Sequence, residues 1–95
     1  MYNLTLILRL VKSRLNRLES DTTLDEYLTA VIKAAAEYLF GMGIHLDGGD
    51  RDNILLCNQA VQMYQNRDQA GHDPEWLRYQ RRQRWLLEGR ASDDT

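Results

Sequence analysis

The run LDEYLTAVIKAAAEYLFGMG, Leu24 to Gly43, leaves little freedom to the chain around it. Leu24, Tyr27, Leu28, Val31, Ala35, Tyr38 and Leu39 recur three or four residues apart, which lines them along one broad face of a helix. Ala34 to Ala36 combine high helix propensity with little bulk, so a neighbouring helix can approach closely. At the front, Thr23 and Glu26 have capping-box spacing. The Thr23 hydroxyl is expected to accept from the Glu26 amide while the Glu26 carboxylate reaches back to the Thr23 amide. At the rear, Gly41 and Gly43 tolerate positive φ, so FGMGI predicts a helix C-cap and a turn, with Met42 and Ile44 folding back onto the core. A helix with such a face must bury it, and the remaining segments have to supply the cover.

Those segments are also helical in pattern. Leu4, Ile7, Leu8, Val11, Leu15 and Leu18 keep helical spacing, with Lys12, Arg14, Asn16 and Arg17 on the other side. Leu4, Leu6, Leu8 and Leu10 also alternate as a strand would, but the alternation stops at Val11 and the helical period does not. A third helix is predicted from about Asn53 to Ala70, capped by Asp50 or Asp52 and ended by Gly71. Its apolar residues, Ile54 to Cys57, Ala60, Val61, Met63 and Tyr64, spread around much of the circumference, as in a central element. In HDPEW, Asp73 as N-cap, Pro74 at the first helical position and Glu75 at the positive dipole end announce a fourth helix, ending near Gly89. The expected fold is all-α, a small bundle of about four helices with antiparallel neighbours. With 95 residues it forms a single domain over 1–90, followed by a flexible acidic tail, ASDDT, at 91–95.

Charge and chemistry narrow the function. A net charge of -2 and a pI near 5.6 argue against wholesale coating of nucleic acid or acidic membrane, so any basic surface must be local. The single cysteine, Cys57, excludes an internal disulfide and sits in an apolar run, which reads as a small core residue in a cytosolic chain. The N-terminal LTLILRLV does not read as a secretory signal, because Arg9 interrupts it, no basic residue precedes it and no small-residue cleavage site follows. No segment reaches membrane-spanning length. Asp47, Asp50 and Asp52 lack the order of a calcium loop and read as capping and solubilising residues, so no metal is predicted. His45 and His72 flank loop glycines and share no face with other ligands. Neither a nucleophile setting nor a phosphate-cradling loop is present, and no catalytic residue or cofactor is expected.

The fourth helix is the unusual one. Arg78, Arg81, Arg82, Arg84 and Arg90 face only Glu75 and Glu88 in sequence, with Trp76, Tyr79 and Trp85 between them. Such a mixture suits either a nucleic-acid backbone, where guanidinium groups replace counterions, or a protein interface, where Trp, Tyr and Arg are the usual anchors. The acidic chain as a whole favours the interface. Part of the helix must dock on its own domain, yet Trp76 and Trp85 stand nine residues apart and so point about 180° away from each other. One of them is expected to be offered to a partner. The third helix meanwhile runs from Tyr64 into Asn66, Arg67 and Asp68, a polar turn immediately before the glycine and the arginine-rich helix.

These features together carry a resemblance. A first helix ending KSRLNRLES, a capped helix with a glycine turn, and a third helix finishing AVQMYQNRDQAG resemble the small phage head-tail connector proteins, the Gp6-like adaptor family. In that family the third helix ends in aromatic, any residue, Asn, Arg, acidic, which Tyr64, Gln65, Asn66, Arg67 and Asp68 match. The resemblance extends over most of residues 4 to 90, while the C-terminal segment is longer and richer in arginine than the family's.

The resemblance implies a non-enzymatic virion protein. It would form a homo-oligomeric ring of about a dozen copies that docks beneath the portal protein after DNA packaging and presents a surface to a tail-proximal connector or stopper protein. DNA would pass through the channel without sequence recognition. The place implied is the head-tail junction of the virion, and the host bacterial cytoplasm during assembly, with no membrane partner. Tyr64, Asn66, Arg67, Asp68, Trp76, Arg78, Arg81, Arg82, Arg84 and Trp85 are the residues expected at protein interfaces. The alternative is a small helical DNA-binding prophage regulator that uses the arginine-rich helix, and a further rival is an enzyme subunit or toxin-antitoxin partner.

Overall fold

Asn3 opens the first helix by accepting the Leu6 amide on its side-chain oxygen at 3.3 Å. The computed structural model describes residues 2–18, 20–65 and 73–93, the last six of these by backbone alone. Within them the order is α1 (Leu4–Arg14), α2 (Asp25–Gly41), α3 (Asp50–Gln65) and α4 (Glu75–Asp93), and no strand occurs among the described residues. The fold is all-α, as the periodicity requires. None of the helices is long and apolar enough to cross a membrane, among the described residues.

Helix α1 stops before Leu18, where the apolar spacing carried the expectation. Asn16 takes φ of 58°, and the Asn16 amide donates to the Ser13 carbonyl at 3.1 Å while Arg17 donates to Lys12 at 2.8 Å. This paired closure is a Schellman motif, with asparagine in the left-handed position usually given to glycine. It turns the chain out, and Leu18 is left 74% exposed. Helix α2 ends in the same way with the residue expected. Gly43 has φ of 89°, Ile44 donates to the Leu39 carbonyl at 3.0 Å and Gly43 to Phe40 at 2.9 Å, and Ile44 folds back into the core.

The N-termini depart from expectation. Leu24 precedes α2 without a side-chain cap, and the Thr23 amide donates instead to Asp21 Oδ1 at 3.0 Å. An Asx turn therefore takes the place of the predicted capping box. Helix α3 begins at Asp50, earlier than predicted, with the Gly49 carbonyl accepting the Asn53 amide at 2.9 Å. Asp50 and Asp52 consequently lie inside the first turn, where their charges still suit the dipole. The predicted end of α3 beyond Gln65 lies outside the described residues. Helix α4 starts one residue later than Asp73 as cap implies, since Pro74 supplies the carbonyl for Leu77 and Arg78, both at 3.1 Å. It also runs past Gly89 to Asp93. Arg90 and Ala91 are good helix formers, so one glycine does not end the helix.

The core gathers Ile7 and Val11 from α1, Leu28, Ile32, Ala35 and Leu39 from α2, and Leu55, Leu56, Cys57, Ala60 and Val61 from α3, with Ile44 and Leu77. Helices α1, α2 and α3 pack on one another. Tyr27 meets Tyr64 edge-on with ring centroids 5.9 Å apart, which sets α2 antiparallel to α3. Helix α3 is the spine, as its apolar spread predicts, because its backbone lies against those of the other three helices among the described residues. Three positions read as core sit at the surface: Tyr27, Tyr38 and Ile54 are exposed. Ile32 supplies the buried position on α2 that the reading passed over. Principal extents of 46 × 27 × 18 Å describe an elongated molecule with two distinct ends.

Candidate protein interface

Helix α4 docks on α3 by a face that is mostly polar. Leu77 is its one fully buried apolar residue among the described positions, and Gln80, Arg81 and Arg84 fill the rest of that face. The spacing of 77, 80, 81 and 84 is helical, so a single stripe carries all four. The order of contacts is antiparallel, with Arg81 against Gln59 and Arg84 against Asp52.

The two inward arginines are held by carboxylates. Arg84 Nε donates to Asp52 Oδ1 at 2.6 Å and Nη2 to Oδ2 at 3.1 Å, a forked pair in which Asp52 is only 3% exposed. The same Nη2 donates to the His45 carbonyl at 2.6 Å, and Asp52 Oδ2 accepts the Asp47 amide at 2.8 Å. One ion pair thus fastens α4, α3 and the loop before α3. Arg81 Nη1 donates to Gln59 Oε1 at 2.8 Å and pairs closely with Asp73 Oδ2, while its guanidinium lies 5.7 Å from the centre of the Tyr38 ring. Asn58 Nδ2 donates to Gln80 Oε1 at 3.1 Å, and Arg14 donates to Asn58 from α1.

Arg81 and Arg84, expected at a partner surface, direct these donors into the chain. Desolvated carboxylates at Asp52 and Asp73 are the physical reason, since a buried charge needs a fixed partner. Tyr64 is likewise partly buried against the core and in ring contact with Tyr27. Asn66, Arg67 and Asp68, the motif residues, lie outside the described residues, as does His72. What α4 presents outward is Arg78 and Arg82 with Tyr79 and Leu86. Trp76 and Trp85 flank this face, each 50% exposed. Trp85 lies over the α2 turn, where a Cβ on Gly43 would stand 3.4 Å from its Nε1.

Further apolar side chains stand at the surface. Phe40 is exposed and meets His45 edge-on, with ring centroids 5.1 Å apart, beside a groove that also involves Tyr2 and Leu46. Leu18 and Tyr27 stand out at the opposite end of α2. The asparagine at 16 was the available signal for the first of these, since it can end a helix as glycine does.

Two carboxylates and the thiol are shifted by their local surroundings. Asp47 Oδ1 accepts the Gly49 amide at 2.8 Å, and this bond holds its carboxyl below the ordinary range. Asp21 is held down in the same way by the Thr23 amide. Burial pushes the Cys57 thiol up, which disfavours the nucleophilic thiolate. No three His, Cys, Asp or Glu side chains are grouped to hold a metal ion among the described residues.

No protein-family model, no curated protein and no solved structure matches the chain.

Proposed function

We propose that this chain is a structural protomer of a phage or prophage head-tail connector, assembling as a ring beneath the portal and linking it to the tail. The observation that carries the reading is the outward flank of α4. Trp76, Tyr79, Trp85 and Leu86 are exposed there beside Arg78 and Arg82, on a helix that packs mainly on α3 and reaches α2 through Arg81 and Tyr38. Aromatic and arginine side chains in this density are the composition of interface anchors. The run Tyr64 to Asp68 supplies the family resemblance in sequence. A domain this small, with one thin core, gains further stability when neighbours bind its folded form.

A DNA-binding regulator is the less favoured reading. Two of the five arginines that would meet phosphate, Arg81 and Arg84, are committed to Asp73 and Asp52. The deciding experiment is electron microscopy of the purified chain mixed with its cognate portal. Added ring density coaxial with the portal is expected. A portal unchanged by the chain, together with duplex binding that weakens steeply with salt and is lost on replacing Arg78 and Arg82 by alanine, would reverse the assignment.

A further inference from the structure

Two exposed surfaces at opposite ends of α2 differ in charge, one carrying carboxylates and the other arginines. The first is the corner between α1 and α2. The Schellman turn at Asn16 projects Leu18 outward, and Tyr27 is exposed a turn into α2. Residues 18–27 carry carboxylates at Glu19, Asp21, Asp25 and Glu26 and no cation. Arg17 and Lys12 answer Asp21 and Asp25, at 3.2 and 2.9 Å, and Glu26 is exposed.

The second surface is a groove of about 460 Å³ between α4 and the glycine turn that ends α2. Met42, Ile44, Trp85 and Leu86 give it an apolar floor, and Arg78 and Arg82 stand exposed at its rim. No carboxylate lines it among the described residues. The corner and the turn are separated by the length of α2, about 25 Å for a helix of this size.

We infer that the Leu18–Tyr27 corner of one copy seats in the Met42–Trp85 groove of the next, Leu18 entering the apolar floor and Glu26 meeting Arg82. Knob and groove are different surfaces, so the contact can repeat from copy to copy; a closed two-fold pair with each knob in the other's groove, whose mass would stop at the dimer, is the arrangement that would overturn it. The contact is head-to-tail, the type that closes into rings when the rotation allows and otherwise runs on as a filament. It deepens the connector reading and rests on it for closure, by assigning the two halves of the junction between neighbouring copies. Charge complementarity fixes the register, and the leucine and tryptophan supply the desolvated centre.

The test is a charge exchange read by sedimentation velocity of the full chain, in low salt and up to millimolar concentration. The unmodified chain is expected to gain mass with concentration. Leu18→Ser, Glu26→Arg and Arg82→Glu should each move the association curve by about tenfold or more in concentration. All three positions are exposed, and far-UV circular dichroism checks that each variant folds. An equimolar mixture of Glu26→Arg with Arg82→Glu should regain the lost association, because every junction in an alternating chain again joins opposite charges. A chain that stays monomeric throughout, substitutions without effect, or a mixture no better than its components would each overturn the inference. Joining the portal while ignoring these substitutions would leave the connector reading standing without this junction. Charge-exchange rescue without portal binding would do the reverse.

Discussion

Arg84 and Asp52 meet at the place where α4, α3 and the preceding loop converge, and the pair is nearly closed to water. Neither residue announces this in sequence: Arg84 sits in an arginine-rich run, and Asp52 in a loop of three aspartates that reads as capping. A buried carboxylate deprived of its cation is left with its desolvation uncompensated. Arg84→Met should therefore destabilise the fold by about 3–5 kcal/mol in urea titration, and Asp52→Leu added to it should recover part of the loss. A single-variant loss below about 1 kcal/mol, as for a surface pair, would show that the pair is not holding the helix. Asp47 provides a pH signature. Its carboxyl is held below the ordinary 3.8 by the Gly49 amide, so its ionised form contributes stability above that pH, and the contribution disappears as pH falls through the lowered value. Asp47→Asn keeps an oxygen for the Gly49 amide but does not titrate. The variant should lose stability less steeply below about pH 4 than the parent. Identical acid limbs in thermal melts would refute that.

Helix ends decide how well the elements could be read. The α2 terminus was legible because glycine in a G-x-G turn has one common use, and the structure places Gly43 in the left-handed region with Ile44 tucked into the core. The α1 terminus was not, because Leu15 and Leu18 continue the apolar period while Asn16 reverses the backbone between them. Periodicity reports which residues would share a face if the helix continued; it does not report that it stops. The Thr23–Glu26 spacing failed for a related reason, with Asp21 competing successfully for the Thr23 amide. The interiors of α1, α2 and α3, by contrast, follow the helical repeat of their apolar residues. At Gly43 two constraints coincide, a positive φ and an indole at van der Waals distance. Gly43→Ala should cost about 1–2 kcal/mol in thermal or chemical denaturation, from the left-handed backbone alone. A neutral result would mean that the turn rearranges without loss.

On the scale of the whole molecule, the four-helix fold was legible and the use of its basic helix was only half so. Charge and aromatic content marked α4 as unusual, but a count of arginines does not distinguish Arg78 and Arg82, which face outward, from Arg81 and Arg84, whose partners lie 22 and 32 residues earlier on α3. Such pairings depend on antiparallel docking, and local sequence does not contain it. The same docking divides the molecule unequally. Helices α1 to α3 share a continuous apolar centre, whereas α4 adds to it one leucine among the described residues. Local opening is easiest where little apolar surface is lost, so α4 should release as a unit before the remainder unfolds. In native-state hydrogen exchange its amides are expected to trade with deuterium ahead of those of α2 and α3, and equal protection across all four helices would contradict this. A rod clasped mainly by salt links to a greasy trio is the part expected to let go first, and each release bares Asp52 of the trio to water.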